Sequence, residues 1–82
     1  EYRKTVRESA EKIRTALTDS DAETIARACH KLIGTSELLG FKVMAGRCRA
    51  IEQSMKANPN PQQEANAIQS LIETLDKILV IL

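Results

Sequence analysis

The chain has 82 residues, enough for one domain with a modest core, and its 43% apolar and 28% charged content excludes a disordered tract. Net charge is +1 and the only aromatics are Tyr2 and Phe41, so the basic stripe and stacking rings of a nucleic-acid binder are missing. The longest apolar run, "ILVIL" at the end, falls short of the ~20 residues a membrane helix needs, and the start carries no signal-peptide pattern. The expectation is a cytoplasmic domain with no nucleic-acid partner and no direct membrane contact.

Four helices are predicted in chain order. The first covers about residues 2–17, with Tyr2, Val6, Ala10, Ile13 and Leu17 recurring at one-sided helical spacing. "TDSDAE" breaks it: Asp19 or Ser20 suits the cap of the next helix, and Asp21 and Glu23 suit its positive N-terminal end. The second covers about 21–39, with Ile25, Ala28, Cys29, Leu32, Ser36 and Leu39 as its buried stripe and Gly40 as its stop. The third covers about 41–57, with Phe41, Met44, Cys48, Ile51 and Met55 on one face, and "NPNP" halts it. The fourth covers about 62–82, striped by Ala65, Ile68, Leu71, Ile72, Leu75, Leu79 and Leu82. No alternating β-branched run argues for a strand. Four amphipathic helices with short connections predict a single all-α domain over residues 1–82, an antiparallel up-down-up-down four-helix bundle.

Cys29 and Cys48 fall on apolar faces and are expected as reduced core residues. They do not build a metal centre with the single histidine, because neighbours Cys29 and His30 diverge by about 100° on a helix and no fourth ligand is evident. His30 itself lies roughly 140° from the second helix's apolar stripe, which points it to solvent or a groove edge. Gly34, one turn on, weakens the helix by about 1 kcal/mol relative to alanine but leaves space beside the imidazole.

The segment "HKLIGTSELLG" resembles the motif of the histidine-containing phosphotransfer (HPt) domain, approximately His-x-Leu-Lys-Gly-Ser-Ser followed three residues later by Gly. His30, Leu32, Gly34, Thr35, Ser36, Leu39 and Gly40 fit it, and "DAETIARACH" resembles the family's approach to the histidine. The motif spans about a dozen residues, while the four-helix plan matches along most of the chain. The resemblance implies a phosphorelay intermediate of two-component signalling: His30 takes a phosphoryl group from a receiver-domain aspartate and passes it to another. It implies response-regulator receiver domains as donor and acceptor, a monomeric phosphocarrier with no autonomous kinase activity, and no cofactor or metal of its own, Mg²⁺ being held by the receiver. Together with an opening on Glu1, it favours a piece of a bacterial hybrid sensor histidine kinase, at the cytoplasmic side of the inner membrane.

One departure from the motif is Ile33, where the family usually has lysine. Arg27, one turn before His30, or Lys31, next to it, is then expected to join Gly34 in the phosphoryl environment, Arg27 being better placed. Ile33, Glu37, Leu38 and Lys42 are the expected receiver-docking positions, the cation helping encounter. The alternative is a helical interaction module with a degenerate site, docking receivers without carrying phosphate; a dimerising bundle is a third, weaker option.

Overall fold

A computed structural model describes residues 2–82. It forms α1 (Tyr2–Thr18), α2 (Ala22–Leu38), α3 (Lys42–Ala57), a 3₁₀ turn (Pro61–Glu64) and α4 (Ala65–Ile81), with no strand among the described residues. A helix of this length spans about 25 Å. The molecule measures 31 × 19 × 18 Å, so the four helices lie side by side along one axis and the short turns reverse their direction. The result is the four-helix bundle expected from the sequence.

The core is aliphatic. Ile13, Ile25, Leu32, Ile68, Leu71, Ile72 and Leu75 are nearly inaccessible to solvent, and Cys29 and Cys48 sit among them as free thiols. The shared hydrogen bond with Cys48, and then burial, push the Cys29 thiol well above the ordinary thiol range. Seven stripe positions are less buried than the sequence expectation: Leu17, Leu39, Ala65 and Leu79 are half-buried, and three more differ at element ends. Tyr2 and Leu82 are exposed, and Phe41 is only half-buried because it caps α3.

Both turns flanking α2 close in the same way. At the end of α1 the Asp21 amide donates to Ala16 O (2.8 Å) and the Ser20 amide to Leu17 O (3.3 Å). At the end of α2 the Phe41 amide donates to Ser36 O (2.8 Å) and the Gly40 amide to Glu37 O (3.2 Å). This pair of reversed bonds is the Schellman arrangement, and its central residue must take a positive φ: Ser20 has +55° and Gly40 +80°. Ser20 is thereby committed to ending α1, so the cap of α2 is Asp21, beyond both Asp19 and Ser20. Asp21 accepts from the Thr24 amide (3.2 Å) and from Thr24 Oγ1 (2.6 Å), and these bonds hold its carboxyl below the usual range.

The final helix also starts later than residue 62. Pro61 is buried and opens a 3₁₀ turn, in which Gln63 N reaches Asn60 O at 3.1 Å, before α-geometry sets in at Ala65. Gln62 Nε2 donates to Leu17 O (2.9 Å) and Ser20 Oγ (3.2 Å), tying this turn to the end of α1. Arg14 and Asp76 (3.0 Å) clip α1 to α4.

A Cβ built at Gly40 would meet nothing within 4 Å, so its requirement is one of backbone conformation alone. Gly40→Ala is therefore expected to lower stability by about 1–2 kcal/mol, read from the midpoint of chemical denaturation.

Candidate functional site

The site is built where α2 packs on α3, the most extensively packed pair of helices in the bundle. Small residues are buried on both helices, Ala22, Ala26 and Cys29 on α2 and Ala45 and Cys48 on α3, and the two cysteines meet across the seam. Small side chains let two helices approach closely. Polar groups at the edge of the seam are thereby brought within hydrogen-bonding reach.

His30 stands at that edge with three-quarters of its side chain in solvent (75%). Its Nδ1 lies 3.0 Å from Glu52 Oε2 on α3. The Glu52 side chain is only 10% exposed, and the same Oε2 atom lies 3.0 Å from Lys56 Nζ one turn along α3. The Lys56 hydrogen bond, outweighing the effect of burial and aided by Lys56 and His30 charge, holds the Glu52 carboxyl below the ordinary glutamate range. An ionised carboxylate can only accept, so Nδ1 carries the proton and donates it. In the neutral ring the lone pair then belongs to Nε2, the nitrogen turned away from Glu52. A carboxylate that fixes one tautomer and faces the charge that develops on the ring is the arrangement by which acid–base histidines are oriented in other settings.

His30, Glu52 and Lys56 share an open groove of about 710 Å³ with Arg27, whose guanidinium pairs with Glu23 at 2.8 Å. Ala22, Ala26, Met55 and Pro59 supply its apolar part. Among the described residues no group of three or more His, Cys, Asp or Glu is disposed to hold a metal ion, and no helix is long and apolar enough to cross a membrane.

The family model of the Hpt domain matches residues 1–78. The chain belongs to the Hpt domain family. No curated protein and no solved structure matches it. Hpt domains serve phosphotransfer in two-component signalling and interact with the receiver domains of response regulators.

Within this Hpt domain the residues singled out from the sequence separate into two groups. His30 and Arg27 line the same groove. Gly34 and Lys31 are exposed on α2 but do not line it, and Thr35, half-buried, turns its hydroxyl back to Lys31 O (3.4 Å). Ile33 packs half-buried against the core, whereas Leu38 is 73% exposed. Glu37 pairs with Arg49 (3.1 Å) across the seam, and both line a second, smaller groove with Lys42 and Gly40. Sequence reasoning passed over Glu52 and Lys56. The signal for Glu52 was present: it follows Cys48 by one helical turn and adjoins Ile51, so it is an acid on an apolar stripe.

Because the Glu52 carboxyl titrates lower in the folded chain than in the unfolded one, it adds stability above the ordinary glutamate range. That increment is lost as the pH falls through the depressed folded value. Glu52→Gln is expected to cost about 1 kcal/mol at pH 7, with the gap to the native protein closing in acid. Denaturation curves collected from pH 7 downward measure both.

Proposed function

We propose that His30 is the phosphoacceptor of a relay between two receiver domains. The observation that carries this reading is the hydrogen bond from His30 Nδ1 to Glu52, which leaves Nε2 as the nucleophilic nitrogen at an exposed groove edge. In the forward step the Nε2 lone pair attacks the phosphorus of a receiver's aspartyl phosphate. The Nε2–P bond forms as the Asp O–P bond breaks, and the aspartate leaves as a carboxylate. The Nδ1 proton stays in place, so the ring becomes cationic and Glu52 faces that charge. The reverse step onto the aspartate of a second receiver uses the same geometry.

Little else is asked of this domain. In-line transfer needs a positioned nucleophile and charge stabilisation, and the receiver's Mg²⁺ supplies most of the latter, so the domain needs no cofactor of its own. Gly34 leaves the surface flat one turn from His30, while Arg27 and Lys31 add positive charge around it. Ile33, Glu37, Leu38 and Lys42 extend the same side of the molecule toward the α2–α3 turn and form the receiver-docking surface. Ile33 in the usual lysine position favours one other reading, a module that docks receivers without taking phosphate.

Incubation with phosphorylated receiver domains and Mg²⁺ separates the two. Acid-labile, alkali-stable label is expected on the native protein and none on His30→Gln; a folded native protein that takes no label leaves the docking module as the function. A Cβ at Gly34 would meet nothing within 4 Å, so Gly34→Ala is expected to raise stability by up to about 1 kcal/mol. The same variant is expected to slow transfer from a receiver, which a rate measurement beside a melting curve records together.

A further inference from the structure

Resting on the phosphoacceptor reading, we infer that Lys56, on α3, supplies the positive charge that the phosphoryl oxygens meet at His30. The chain has Ile33 at the α2 position three residues after the histidine, so no cation stands there. Of the cations near His30, Arg27 is engaged outward by Glu23 at 2.8 Å, with both side chains about three-quarters exposed. Lys56 is engaged inward. Its Nζ and His30 Nδ1 meet the same carboxylate oxygen, each at 3.0 Å, and both residues border the same groove.

The electrostatics of that arrangement call for such a cation. Glu52 holds the tautomer that frees Nε2, but it also sets a negative charge on the far side of the ring that must receive an anionic phosphoryl group. Lys56 cancels that charge without touching the Nδ1 proton. Its side chain is 68% exposed on a flexible stem, so the ammonium can turn from the carboxylate to the phosphoryl oxygens as these arrive. Lys56 thus faces the transferred group, while Glu52 positions the ring.

Phosphoramidate, a small donor that needs no docking surface, tests this on the intact chain. Its P–N bond breaks as the Nε2–P bond forms, ammonia departs, and ³¹P NMR follows phosphohistidine. Lys56→Ala is expected to slow formation about tenfold, with Lys56→Arg restoring most of it. The ring ¹⁵N signals of His30 are expected to keep the Nδ1–H tautomer in every variant. Equal rates in the native protein and Lys56→Ala overturn the inference. So does an Arg variant as slow as the Ala variant, or loss of the tautomer in Lys56→Ala, which would place the effect on Glu52 instead. A native protein that forms no phosphohistidine overturns the phosphoacceptor reading itself, and the inference with it.

Discussion

The seam between α2 and α3 sets the geometry on which everything at the surface depends. Its floor is the contact of Cys29 with Cys48, both at 0% exposure, flanked by alanines on either helix. Larger residues there would push the helices apart, and a hydrogen bond of 3.0 Å between His30 and Glu52 has no slack to absorb the movement. Register matters as much as spacing. A slip of one residue along α3 turns its face by about 100° and shifts it by about 1.5 Å, which would carry Glu52 out of reach. The turn closed by Gly40 at φ +80° fixes that register. The buried thiols and the glycine therefore serve the site without belonging to it.

The helices and most of the core were legible in the sequence because they follow from periodicity and from the stopping power of glycine and proline. Val6, Ile13, Leu32, Met44, Cys48 and Leu71 are buried where their spacing puts them. What escaped was decided by contacts between elements. The cap of α2 moved to Asp21 because the closing turn of α1 had already claimed Ser20. The last helix began late because the segment from the buried Pro61 is a 3₁₀ turn, with Gln62 tied to the end of α1, before α-geometry sets in at Ala65. His30 could be placed on an exposed face by angle alone, since that is a property of one helix. Its bond to Glu52, 22 residues away on another helix, is not, although an acid on an apolar stripe marks the position as unusual.

The charges around His30 are mostly spoken for by one another: Arg27 by Glu23, Lys56 by Glu52, and Glu37 by Arg49 further along the seam. Such a surface is not a static positive patch. Exposed ion pairs are worth at most about 1 kcal/mol each, so a group with two or more negative charges can recruit a cation from its present partner at small expense. Glu52 differs because it is sheltered and holds two donors at once. It is the fixed member of the cluster, and the exposed cations are the movable ones.

Two glycines near the histidine illustrate how a fold requirement and a surface requirement can be told apart. Gly40 is explained within the chain, since only a residue at ease with positive φ closes that turn without strain. Gly34 has no such explanation. It lies inside a regular helix, and a methyl group there would touch nothing. A helix that forgoes alanine at such a place accepts lower stability with no gain in its own packing. Gly46 on α3 is equally open, so the space alone does not set Gly34 apart; its place one turn from His30 does. On the proposed reading of His30, that space would admit the phosphoryl group or the backbone of the domain that delivers it.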